Sequence, residues 1–121
     1  MTKKLTVMFT ILTSMMISSA AFSLTKDEAS RMADAGMCSY GADEGNTLYK
    51  QLGKSGDFDF LRIAAENDIK GFSDKPGAQK EFLKYYFQMQ ETFANKDIET
   101  RMSLLVVLFK RCDAKYKLGF F

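Results

Sequence analysis

Two pairs of neighbouring acids are the groups in this chain best placed to do chemistry: Asp43 with Glu44, and Asp57 with Asp59. Paired carboxylates can divide acid and base roles or hold calcium. Neither pair has the spacing of a calcium loop. The 121-residue chain contains no histidine, which removes the Ser-His-Asp and Cys-His arrangements and the imidazole-dependent zinc sets. An enzyme would have to work with carboxylates, Ser, Lys or Tyr. The competing reading makes Asp57 a helix N-cap, puts Asp59 in the first turn behind it, and leaves Asp43 and Glu44 in a solvated loop. A third reading gives all four acids to a protein contact. Gly41, Gly45, Gly53 and Gly56 do not form a phosphate loop, because GxxxxGK[ST] is absent. The expectation is a non-enzyme with no catalytic residue, no metal site and no cofactor.

The remaining chemistry lies in Cys38 and Cys112, the only two cysteines. Their state depends on where the chain works. Lys3 and Lys4 precede an apolar stretch from Leu5 to Ile17, and Ser18-Ser19-Ala20-Ala21 follows. That is the layout of a secretory signal peptide cleaved after Ala20 or Ala21. The apolar stretch is shorter than the roughly 20 residues of a spanning helix and carries several hydroxyl residues. The expected product is one helical domain over 22–121, located in the periplasm. In an oxidising compartment an even cysteine count favours a Cys38–Cys112 disulfide over two buried thiols. Closing a loop of about 74 residues is worth near 4 kcal/mol on chain-entropy reasoning. Without a CxxC spacing, a catalytic redox pair is not expected.

Removing Lys3 and Lys4 leaves equal numbers of basic and acidic side chains. A nucleic-acid partner is therefore not expected, nor a general attraction to anionic membrane. The acids outnumber the bases before Pro76, and the reverse holds after it. The two halves can attract each other within the fold or steer a partner protein.

The elements that must position these residues read as helices. Thr25-Lys26-Asp27-Glu28 is a capping box, and Ala29, Met32, Ala33, Gly36, Met37 and Tyr40 then recur near helical spacing. Gly41 is expected to stop this first helix, with Cys38 near its end. A second helix is expected over about 44–52, and a third after Asp57, with Phe60, Leu61, Ala64, Ala65 and Ile69 facing inward and Gly71 ending it. A fourth runs over about 76–94 from Pro76, with an aromatic stripe of Phe82, Tyr85, Tyr86, Met89 and Phe93. Tyr85, Tyr86 and Phe87 cannot all face inward, so Tyr86 and Phe87 are candidate partner contacts. A fifth helix starts after Asp97. Ile98, Met102, Leu105, Phe109, Cys112 and Tyr116 follow at alternating steps of four and three. Leu104 to Phe109 alone fits a buried strand, but the periodicity continues beyond both ends. Lys110, Arg111, Lys115 and Lys117 suit the end of that helix or a basic patch. Phe120 and Phe121 pack onto the domain or against a second copy of the chain. The fold class is all-α, a small bundle of four to five helices with one disulfide.

A small, exported, histidine-free, stapled bundle fits a binding protein better than an enzyme. In layout it resembles the periplasmic immunity proteins that protect bacteria from type VI secretion amidase effectors. The resemblance rests on the signal segment, on Cys38-Ser39-Tyr40 followed by Gly41 and Gly45, on a helical middle, and on a cysteine late in the last long helix. It implies a helical, disulfide-bearing, often dimeric protein that blocks a peptidoglycan-cleaving amidase by occupying its cleft. The inhibitory role would fall on loops here, 41–46 or 53–57. Asp43, Glu44, Asp57 and Asp59 would meet a basic cleft rim, giving steering and register, and the aromatic residues at 85–87 would supply an anchor. Charge reversal at Asp43 and Glu44 is then expected to weaken inhibition without unfolding the domain. Three other readings stay open: a periplasmic chaperone or stress protein that takes apolar clients, a small envelope enzyme using carboxylates, which would need a concave pocket joining two of them, and a structural accessory of the envelope.

Overall fold

A computed structural model describes residues 23–121; the expected signal segment and its expected cleavage positions lie outside that range. Four α-helices follow in order: α1 Lys26–Gln51, α2 Asp59–Ile69, α3 Ala78–Phe93 and α4 Ile98–Tyr116. There is no strand among the described residues, and the all-α class expected from the sequence holds.

The capping box forms as read. The Glu28 N–H donates to Thr25 Oγ1 at 3.1 Å, and the Thr25 N–H donates to Glu28 Oε1 at 3.0 Å. The helix it starts does not stop at Gly41. It continues through Gly45 for 26 residues and absorbs the second expected helix. Asp43 and Glu44 therefore sit on a helix, and Cys38 lies near its middle. The reason is close packing. A Cβ at Gly36 would stand 2.2 Å from the Phe82 carbonyl oxygen on α3, and one at Gly45 would stand 2.7 Å from the Phe58 ring and 2.9 Å from the Phe109 ring. A mid-helix glycine costs about 1 kcal/mol relative to alanine. Here the missing side chain is what lets neighbours reach the α1 backbone. The helix ends instead at Leu52, followed by Gly53 at φ +70°.

Two other starts are shifted. The N-cap of α2 is Phe58, which has no side-chain cap, so Asp57 is not the N-cap. Its carboxylate accepts the Asp59 N–H at 2.9 Å, while Asn46, reaching from α1, accepts the Phe58 N–H at 2.8 Å. Helix α3 begins at Ala78 behind Gly77 in the left-handed region, leaving Pro76 in the preceding turn. The Asp97 cap of α4 forms, with the Thr100 N–H donating at 2.8 Å, and the 104–109 segment is helical.

Helix α1 is the hub, with α2, α3 and α4 each packed against it. One core cluster joins Tyr40 and Leu48 of α1 to Leu61, Phe93, Leu105 and Leu108. A second, at the other end, joins Met32 and Ala35 to Ala65, Ile69, Phe72 and Ala78. The Cys38–Cys112 disulfide ties α1 to α4 with Cα atoms 5.9 Å apart. Among the described residues no helix is long and apolar enough to cross a membrane.

Candidate protein-binding face

The first acidic pair is turned into the structure. Glu44 is only 6% exposed. One carboxylate oxygen accepts from Arg101 Nε of α4 at 2.7 Å, and the other accepts the Tyr40 hydroxyl proton at 3.1 Å. Burial, then the Glu44 charge, push the Tyr40 phenol well above its ordinary value. The hydrogen bond to Glu44 holds the Arg101 guanidinium more firmly protonated. Asp43, one position earlier on α1, accepts from Arg62 of α2 and from the Tyr86 hydroxyl of α3. Three helices thus meet on one carboxylate. Burial, reinforced by the Asp43 carboxylate, pushes the Tyr86 phenol up to about 12.

Asp59 is tied to the same network. It accepts from Arg62 at 2.7 Å and from the Asn46 amide at 3.0 Å. Those two donors, Arg62 foremost, hold its carboxyl below the usual carboxylate range. Asp43, Glu44, Asp59 and Tyr86 are thereby brought together as fastenings between helices. Asp57 and Phe87 touch this cluster only at its edge: Asp57, on an exposed loop, accepts the Asp59 N–H, and Phe87, 49% exposed on α3, meets the Tyr86 ring edge-on at 5.5 Å. The uneven charge of the two chain halves is used inside the fold. Besides Glu44–Arg101, Asp34 of α1 pairs with Arg111 at 3.4 Å and Lys115 at 3.5 Å on α4. Two members of the expected basic patch are therefore engaged.

A second set of exposed residues lies beyond the α1 C-terminus. Residues 53–57 form a fully exposed loop between α1 and α2. Its base is fixed. The Lys54 N–H donates to the Tyr49 carbonyl at 2.9 Å, and the Phe58 N–H is held by Asn46. Gly56 lies against the Tyr49 ring so closely that a Cβ would stand 2.7 Å from it. That ring meets Phe58 edge-on at 4.8 Å. Tyr49 and Phe58 then continue into an apolar groove of about 250 Å³. Phe60 and Leu61 of α2, Met102, Val106 and Phe109 of α4, and Phe120 and Phe121 of the tail line the rest of it. Val106 is 41% exposed and Val107 67% exposed on the adjoining surface of α4.

Of the two loops marked for an inhibitory role, only 53–57 is a loop; 41–46 is helix. The groove was not legible as such. Its one sequence signal was the terminal Phe120-Phe121 pair, whose Phe120 ring packs on Phe60 at 4.8 Å. Asn46, Arg62 and Arg101 were also missed, because single polar residues on predicted helices carry no mark of their partners. Among the described residues no group of three or more His, Cys, Asp or Glu side chains could hold a metal ion. The arrangement offers a loop pinned at its base and an apolar concavity beside it. Comparison with protein-family models, with curated proteins and with solved structures finds no match.

Proposed function

We propose that this protein is an exported, periplasmic inhibitor, an immunity protein that binds and blocks a peptidoglycan-degrading amidase and performs no chemistry itself. The observation that carries this reading is the exposed 53–57 loop, pinned at both ends by Asn46 and Tyr49 and set beside an aromatic groove. A blocker gains affinity when its contact segment is held in one shape before binding, because less ordering entropy is lost. The exposed Lys54 and Asp57 supply charge for register at the loop. The groove supplies a dry pocket for an apolar anchor, the type of contact that dominates protein interfaces. The disulfide and the α1 ion pairs keep this face rigid.

The test is a titration of the mature chain against purified type VI amidase effectors, reading peptide release from isolated sacculi. Activity should fall linearly to zero at one equivalent of inhibitor for a cognate enzyme. If no effector of this class is slowed by a large molar excess, the amidase reading fails. A chaperone reading draws on the same groove and the exposed Val106, Val107 and Phe121. It predicts suppression of aggregation for many unrelated clients, with no stoichiometric end point against any one enzyme.

A further inference from the structure

The apolar groove carries one charged group. Asp113 of α4 lines it together with six aromatic rings, those of Tyr49, Phe58, Phe60, Phe109, Phe120 and Phe121. The rings form a continuous wall. Phe58 meets Phe109 at 4.9 Å and Phe60 at 6.2 Å, and Phe60 meets Phe120 at 4.8 Å. Asp113 is only 8% exposed. Its Oδ1 accepts the Phe120 N–H at 2.7 Å, and among the described residues no Lys or Arg pairs with it. Glu44, buried to a similar degree, has Arg101. Burying a charge is costly unless a counter-charge accompanies it. At Asp113 the chain supplies none, and the carboxylate borders space that a ligand can enter.

We infer that the groove is a binding site for a small methylated ammonium ion. Aromatic faces attract a cation through their negative quadrupole, most strongly when the cation is desolvated. The Asp113 carboxylate adds the counter-charge. A primary ammonium carries three N–H donors, and in so apolar a lining most of them would go unmet. A tertiary or quaternary ammonium presents methyl groups to the rings and asks for one hydrogen bond or none. Lys110 of this chain already stands over the Phe121 ring at 5.9 Å, so the outer wall accepts a cation. The space of about 250 Å³ holds such a head group with a short chain. The site is the groove that the proposed function gives to an apolar anchor, but the ligand needs no hydrolase.

The mature chain is titrated with choline, with its uncharged carbon isostere 3,3-dimethylbutanol, and with ethanolamine. The methyl resonances of Met102 and Val106, both in the lining, report occupancy of the groove. Choline should bind at least ten-fold tighter than the isostere, and tighter than ethanolamine. Asp113→Asn keeps an oxygen for the Phe120 N–H and removes the charge, so in the folded variant the preference should fall below two-fold. Phe60→Leu keeps an apolar wall without a ring face. It should weaken choline at least three-fold and leave the isostere unchanged, and it carries the test if Asp113→Asn does not fold. Equal binding of choline and the isostere, no shift of these methyls, or a preference that survives in folded Asp113→Asn overturns the inference. Ethanolamine bound as tightly as choline overturns the methylated class. Retention on phosphatidylcholine vesicles without binding of choline moves the chemistry to a lipid surface and overturns the small-ligand site. None of these readouts involves a hydrolase, so a failed amidase titration leaves the ammonium site to be judged by itself.

Discussion

The seam on α1 and the groove rim just beyond its C-terminus use the same kinds of residue in opposite ways. At the seam, Asp43 and Glu44 each satisfy cations or hydroxyls from other helices, and the glycines let those helices approach. At the rim, Lys54 and Asp57 face solvent, and aromatic rings line a concavity that the protein does not fill. Acidic pairs in a sequence therefore do not mark a binding surface by themselves. What separates the two regions is whether another helix supplies a cation or a hydroxyl to the charge. The comparison predicts that seam substitutions act on stability and that rim substitutions act on binding.

The largest effect belongs to the Cys38–Cys112 staple. Replacing both cysteines with alanine should lower unfolding free energy by about 4 kcal/mol, since the closed loop spans 74 residues. Urea unfolding of the two forms measures it. A change below about 1 kcal/mol would show that packing and ion pairs hold the α1–α4 contact without the staple.

Next comes Arg101→Ala, which strands the Glu44 carboxylate in a buried site. A broken buried pair costs roughly 3 kcal/mol. The same urea experiment reads it, and a double-mutant cycle with Glu44→Gln isolates the pair. The sequence reading expected charge reversal at Glu44 to weaken binding while sparing the fold. The structure assigns the first cost to the fold. An unfolding free energy unchanged in Arg101→Ala would restore the earlier expectation.

The helical class, the capping box, the Asp97 cap and the disulfide partners were legible because each depends on residues close in sequence or on simple counting. Thr25 and Glu28 need only their own turn. Gly41 and Gly45 misled, because local propensity registers their cost but not the Leu108, Phe58 and Phe109 side chains that approach them. The cap of α2 was misplaced for a similar reason: Asn46, 12 residues upstream, holds the Phe58 N–H. The acids stand out in the sequence as neighbouring pairs. Their roles depended on Arg62 and Arg101, which only tertiary folding brings near. The groove is assembled from two helices, a loop and the tail, and no single segment carries its pattern.

The pH dependence of the seam is a smaller effect, with a definite sign at each end. Tyr86 has its phenol raised from 10 to about 12 in the fold, so the folded state favours the protonated form. Its contribution is complete below pH 10 and is lost as the pH rises through about 12. Asp59, held low by Arg62, contributes above its ordinary value near 3.8 and loses that contribution as acid protonates it. Urea midpoints should thus fall on both sides of a neutral plateau. In Tyr86→Phe the alkaline fall should shrink, and an unaltered alkaline limb would remove Tyr86 from the seam.

The most direct test of the central claim sets the rim against the seam in one assay. Lys54→Glu in the loop and Glu44→Gln in the seam are each titrated against an amidase that the parent protein inhibits, with urea unfolding run in parallel. Lys54→Glu, at an exposed loop position, should leave stability within about 0.5 kcal/mol and raise the inhibition constant at least ten-fold, an energy of about 1.4 kcal/mol. Glu44→Gln should do the opposite, losing stability while the folded fraction still inhibits at the parent constant. Full inhibition by Lys54→Glu, with inhibition lost in folded Glu44→Gln, would contradict the account and return the binding face to the seam.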